Sequence, residues 1–331
     1  MNDLSNLRIL VTGGCGFIGS HICEHLVRHK CKLVRIVDNL SIGSLDNIRD
    51  ILNKQGDDTK VEFILGDVTK SDICKKACVG IDIICHQAAV TSVPKSFYDP
   101  LFSHNTNVNG TLNLLLSAKD AGIKRFIYAS SSAVYGDDIH TPKVETTIGN
   151  QISPYGLTKY MCELYGNIFT SCYDMECIGL RYFNVFGPRQ NPNGAYASVI
   201  PVFINSLLSN ESPKIYGDGT YSRDFTYVDN IVNANLNAMT KPVIIPGVYN
   251  VGSGESISIN KLYFTIAHYL ESTLRPNYKN IRKGDIAHSN SNITKSRLCL
   301  DYGVNVDFMS GLKRTISWYK KNRNYFGCRY Q

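Results

Sequence analysis

No run of about 18 apolar residues occurs in this 331-residue chain, so nothing in it reads as a bilayer-spanning helix. The opening MNDLSNLR leads straight into an apolar strand, without the basic flank, apolar run and small-residue cleavage site of a secretory signal. Internal repeats and low-complexity tracts are absent, and with 43% hydrophobic against 19% charged residues a disordered or fibrous chain is excluded. Eleven cysteines are present but no CxxC pair. The nearest spacings, Cys74 to Cys78 and Cys172 to Cys177, fit neither a common zinc pattern nor a thioredoxin motif. Cys15, Cys23, Cys31, Cys85, Cys162 and Cys177 sit in apolar, regularly patterned segments, where a reduced thiol acts as a small hydrophobe, and a cytoplasmic location is expected. The formal charge of +7 suits anionic ligands but is spread along the chain. Its one dense cluster, KKNRNYFGCRY, reads as the solvated end of a last helix, so neither nucleic acid nor membrane is an expected partner.

What the chain does have is rhythm. LRILVT (7–12), CKLVRIVD (31–38), VEFIL (61–65), IDIICHQAA (81–89), KRFIYAS (124–130) and ECIGLRYF (176–183) are near-continuous apolar strands, as in a parallel sheet covered on both faces. Helical patterns at 17–29, about 101–121 and 155–172 alternate with them, which predicts an α/β fold, a Rossmann-type doubly wound parallel sheet with right-handed crossovers. After residue 184 the rhythm loosens into Pro-, Gly- and Asn-rich stretches such as FGPRQNPNGAYA and IYGDGTYSRD. Regular patterning returns within about 226–252, so the expected organisation is a dinucleotide-binding domain of residues 1–184 plus that return segment, interleaved with a smaller α/β substrate lobe of residues 185–331.

The first strand runs into GGCGFIGSHICEHL, with Gly13, Gly16 and Gly19 three residues apart. Glycines at this spacing, between a strand and a helix, let backbone approach a pyrophosphate that gains from the free amides and positive end of the helix starting near Phe17 and Ile18. Asp38 closes the next strand, where a carboxylate accepts from ribose hydroxyls and repels a 2′-phosphate, so NAD is favoured over NADP. The same helix carries HICEH (His21 to His25), a spacing shared with inverted zinc proteases. Its start is already committed to a phosphate and no third ligand is evident, so a packed or solvated histidine face is the reading and no metal is expected.

In SPYGLTKYMCELY, Tyr155 and Lys159 are four apart and share one helix face. A nearby ammonium and a cationic nicotinamide favour the phenolate of a residue whose unperturbed pKa of about 10 makes it a poor base. The serine run Ser130 to Ser132, ending a predicted strand, adds hydroxyls where sheets of this class carry their sites.

Taken together, TGGCGFIG, HQAA, NVNGT, SSSAVYG, SPYGLTK and RYFNVFGPRQ resemble the extended short-chain dehydrogenase/reductase family, and within it the nucleotide-sugar 4-epimerases, over about residues 7–320. The resemblance implies that Tyr155 is the base, that Lys159 lowers its pKa and holds the nicotinamide ribose, and that Ser131, four residues before the tyrosine of VYG, bonds the sugar 4-hydroxyl, with Ser132 its nearest competitor. It implies Asn39, Asp67 and Val68 beside the adenosine, and Gln87, Ala88, Ala89, Asn107 and Tyr182 along the cofactor. For a UDP-sugar it implies Ser92, Asn184, Ser198, Val199, the backbone at Ile215 and Tyr216, Arg223 and Arg282 toward phosphate, and Asp285 toward ribose. Dehydratases of the family usually carry an Asp-Glu pair shortly after the strand serines; Ala133 and Val134 stand here, leaving hydride removal from C4 and its return to the opposite face of a 4-keto sugar.

Ser289 replaces the tyrosine of relatives restricted to UDP-glucose and UDP-galactose, which leaves room for an N-acetyl group. UDP-N-acetylglucosamine and UDP-N-acetylgalactosamine are therefore the expected pair, although Thr91 and Ser198 stand where that branch has glycine and alanine. The plain hexose or uronic acid pairs are the alternatives, and a non-catalytic NAD-binding sensor or scaffold is disfavoured by the intact Ser, Tyr and Lys. Relatives dimerise through the helices matching 101–121 and 155–172, so a homodimer is implied.

Overall fold

A computed structural model describes residues 4–53, 59–193, 197–281 and 287–326. Seven strands form one parallel sheet: β1 (Arg8–Thr12), β2 (Leu33–Asp38), β3 (Lys60–Leu65), β4 (Ile83–His86), β5 (Arg125–Ser131), β6 (Glu176–Tyr182) and β7 (Gly247–Val251). Their spatial order, β3-β2-β1-β4-β5-β6-β7, reverses direction between β1 and β4, and ligands of doubly wound sheets bind at that switch point. Period-two alternation explains the apolar runs. Ile9 and Val11 enter one core cluster with Ile22 and Leu26, while Leu10 between them enters the other with Phe126 and Leu114.

The main helices are α1 (Phe17–Arg28), α2 (Gly110–Asp120), α3 (Pro154–Tyr173), α4 (Val199–Leu208), α5 (Val228–Thr240), α6 (Ile259–Leu270) and α7 (Phe308–Lys321). α5 packs on α1, and β7 extends the sheet beyond β6, so the return of regular patterning after residue 226 is spent on the sheet. A third cluster, with Phe203, Tyr263, Phe308 and Leu312, lies among α4, α6 and α7, next to three two-stranded ribbons. Among the described residues no helix is long and apolar enough to cross a membrane. The six cysteines assigned to apolar segments are all buried.

Two elements differ from their sequence expectation. The helix expected over 101–121 is broken into Pro100–His104, a wider turn at Asn105–Asn109, and α2. Within that wider turn the Asn107 carbonyl accepts from the Thr111 hydroxyl (2.5 Å) and the Cys162 thiol (3.3 Å). β4 stops at His86 rather than continuing to residue 89, and Gln87 to Ala89 run on as irregular backbone along the cleft.

Candidate active site

A cleft of about 460 Å³ lies along the C-terminal ends of β1, β2, β4 and β5. Its floor is the glycine turn. Gly13 has φ +68°, and a Cβ there would come within 2.6 Å of the Ala88 amide nitrogen; a Cβ on Gly19 would strike the Gly13 carbonyl oxygen. The helix start at Gly16 has no side-chain cap, so the first-turn amides of Phe17, Ile18 and Gly19 lie at the cleft wall for an anion. Asp38 is buried, accepts from the amides of Cys15 (2.9 Å) and Leu40 (2.8 Å), and still lines the cleft with Asn39. Burial pushes its carboxyl above the usual range, and the two amides pull it back. Each carboxylate oxygen keeps a free lone pair for a ribose hydroxyl. Asp67, Val68, Gln87, Ala88, Ala89 and Tyr182 line the same cleft. A cradle that any added Cβ would fill, an open helix end and a carboxylate at the ribose position fit a dinucleotide without a 2′-phosphate.

Asn107 is placed differently from the expectation. It is buried behind the wall, exchanging bonds with the Val90 backbone (2.8 and 3.0 Å) and donating to Thr158 on α3 (3.0 Å), so it shapes the cleft through Val90 rather than by lining it.

Ser153 caps α3 by accepting from the Gly156 amide (3.0 Å), and Pro154 sets the first turn. This fixes Tyr155 and Lys159 in the cleft wall beside Ser131 and Ser132. Burial pushes the Tyr155 phenol above 10, and the Ser131 hydroxyl pulls it down. Burial lowers the Lys159 ammonium, which donates to the Ala129 carbonyl (2.8 Å). The charge expected to lower the phenol is thus engaged on backbone, and the lowering contact in this structure is Ser131.

An adjoining cleft of about 260 Å³ is lined by Asn184, Ser198, Val199 and Arg223; Asn184, Ser198 and Gln190 belong to both clefts. Ser92 and Thr91 lie in the first. Gln190 was missed by sequence reasoning, although it stands in the quoted RYFNVFGPRQ: its amide donates to Val185 O (3.0 Å), while its buried Oε1 has no hydrogen-bond partner among the described residues. Asp224 does not pair with Arg223; fully buried, it accepts from Ser253, Gly254, Thr226 and Ser291, leaving Arg223 turned to the cleft with bonds to the Ser222 and Ala287 carbonyls. Ile215 and Tyr216 lie on a short strand paired with Asn277–Lys279 and line neither cleft. Ser289 is buried, its amide on Ser222 O (3.2 Å), and lines neither cleft. Arg282 and Asp285 lie outside the described residues. His21 bonds the Pro188 carbonyl (3.0 Å), and among the described residues no group of three His, Cys, Asp or Glu is placed to hold a metal.

A phenol, a hydroxyl and an ammonium set beside a nucleotide cradle make this a dinucleotide-dependent redox enzyme of the Rossmann class. Residues 9–252 match the model of a single family. The chain belongs to the NAD dependent epimerase/dehydratase family, and its cofactor is NAD. It is 39% identical to a UDP-N-acetylglucosamine 4-epimerase from Methanobrevibacter ruminantium solved with UDP-N-acetylmuramic acid (TM-score 0.87; 96% of this chain and 99% of that one). It is 35% identical to a UDP-glucose 4-epimerase from Thermotoga maritima solved with UDP-glucose (TM-score 0.89; 96% and 100%). A UDP-glucuronate 4-epimerase of Thermodesulfobacterium geofontis is 32% identical over 95% of this chain and 96% of its own length.

Proposed function

We propose that this NAD-dependent UDP-sugar 4-epimerase interconverts UDP-N-acetylglucosamine and UDP-N-acetylgalactosamine. The observation that carries the choice of sugar is Ser289. It is small, buried against Ser222, and sends no side chain into the cleft that holds Arg223. The 39% identity to a UDP-N-acetylglucosamine 4-epimerase supports the same reading.

Gly13, Gly16 and Gly19 with the α1 amides would hold the pyrophosphate, Asp38 the adenosine ribose, and Lys159 the nicotinamide side. Bound NAD supplies a hydride acceptor and donor for sugar C4 and a positive charge beside the phenol. Tyr155 takes the 4-hydroxyl proton and gives it back, a transfer worth about 10² to 10⁴ in rate. Ser131 holds the 4-oxygen and directs its proton at the phenol. Arg223 holds the diphosphate, while Asn184 and Ser198, common to both clefts, stand where the sugar turns its other face. Ala133 and Val134, after the serines, offer no acid to expel a hydroxyl.

The homodimer belongs to the same proposal. Leu157 (46% exposed), Leu164 (44%) and Ile168 (51%) form an apolar outer face on α3, opposite the Tyr155 stripe, and sedimentation of the pure chain at twice the monomer mass is the expected result. The function is tested by incubating the purified protein, without added cofactor, with each UDP-sugar and assaying the 4-epimer. Turnover of the acetamido pair, suppressed in Ser289→Tyr more than that of the plain hexoses, supports the reading; equal loss on both removes the size argument.

A further inference from the structure

Ser130, the first serine of the run, plays no part in the mechanism above, and the structure gives it a partner. Tyr155, Lys159 and Glu163 fall at successive fourth positions of α3 and form one buried stripe against β5. Lys159 and Glu163 each hold a residue of that strand: Lys159 donates to the Ala129 carbonyl (2.8 Å), and Glu163 accepts from the Ser130 hydroxyl (2.5 Å). Tyr155 shares the cleft wall with Ser131, the next residue of the strand. Glu163 is itself clamped by Arg181, whose Nε and Nη2 each donate to one carboxylate oxygen at 2.8 Å. Arg181 stands opposite Ser130 in the β5–β6 register.

The clamp also reaches the other side of the serines. The Arg181 guanidinium lies 4.8 Å from the ring centre of Tyr135, in the turn immediately after Ser132, and the Tyr135 hydroxyl donates to Asn250 on β7 (2.6 Å). Both members of the ion pair are only 3% exposed. Stability alone does not account for such a pair, because removing two charges from water offsets much of their attraction and apolar replacements are often as stable. What the pair does supply is direction: a bidentate fork admits one arrangement of helix, strand and turn.

We infer that Glu163 and Arg181 are positioning residues, which through Ser130 and Tyr135 set the distance between the Tyr155 phenol and Ser131. This rests on the proposed epimerase mechanism for its kinetic consequence but not for its geometry. Ser130→Ala cuts the link to the strand and leaves the ion pair whole. It is expected to lower kcat about tenfold, with KM and NAD per chain within about twofold, and Ser130→Thr, which keeps the hydroxyl, is expected to restore most of the loss. The double variant Glu163→Gln/Arg181→Met leaves no unpaired buried charge; it is expected to fold and to keep the low kcat. Wild-type kcat in Ser130→Ala, or a change in KM or NAD content in place of kcat, overturns the inference.

A substrate-free readout separates the two proposals. The absorbance near 295 nm of each variant minus its Tyr155→Phe counterpart follows the phenol, and Ser130→Ala is expected to raise its midpoint by about half a unit as Ser131 drifts away. If the wild type epimerises none of the UDP-sugars, the functional reading fails on its own and this midpoint still decides: a shift upholds the positioning role, and no shift ends it.

Discussion

The two ends of the active cleft are built differently. The cofactor end is cut from backbone: a glycine turn against the Ala88 amide, an uncapped helix start, and a carboxylate tied to two amides. The far end is cut from side chains, with Asn184, Ser198 and Arg223 projecting from two-residue strands, a helix start and loops. A backbone-lined surface tolerates almost no substitution, since any Cβ fills it, whereas a side-chain wall can be rebuilt for another sugar one residue at a time. The two solved relatives named above act on different sugars by their descriptions while sharing this fold, as that contrast leads one to expect.

Substitutions at each end break or sharpen the contrast. The largest effect is expected between the ends: Tyr155→Phe should lower kcat about 10³-fold while NAD per chain and KM stay near wild type, because only the transferable proton is removed. At the cofactor end, Gly19→Ala places a methyl against the Gly13 carbonyl, and chains purified from it should carry less than about a tenth of the wild-type NAD, read from the released nucleotide. Retention of full NAD by that variant would erase the distinction drawn here. At the far end, Arg223→Met should raise KM for the UDP-sugar about tenfold or more with kcat within about twofold, the effect of losing charge-assisted bonds made alike in ground and transition states.

The smallest effect concerns what supports the backbone end. His86 is buried between Thr12 (2.6 Å) and Thr111 (3.0 Å), and burial, then the Lys159 charge, lowers its pKa to about 3. Its folded value lies below the unfolded value of about 6.5, so the neutral ring contributes stability above pH 6.5 that is lost progressively as pH falls toward 3. One such group gives a slope of at most about 1.4 kcal/mol per pH unit. His86→Asn, less stable throughout, should show a flatter decline between pH 6.5 and 5 in urea unfolding.

Legibility followed the same division. Strand and helix positions, the glycine turn, Asp38 and the Tyr155–Lys159 spacing were readable, because each is a constraint on a few neighbouring residues: period two, period 3.6, a positive φ, a helix face. Less readable were the residues defined by distant partners. Asn107 looked like a cofactor contact and is a strut between Val90 and Thr158, 17 and 51 positions away. Asp224 carried no local signal of its place beside Arg223: the two neighbours point to opposite environments because the strand carrying Arg223 alternates its faces and Asp224 is gathered in by loops near 253 and 291. Gln190 carried no local signal beyond its motif.

The sequence alone determined a doubly wound parallel sheet, a nucleotide cradle at its switch point and a tyrosine and a lysine sharing one helix face, since these follow from sterics and periodicity within a single segment. Only the tertiary structure decided that Ser130 of the run is turned to Glu163 and held through it by Arg181, because those partners come from α3, 33 positions further on, and from β6.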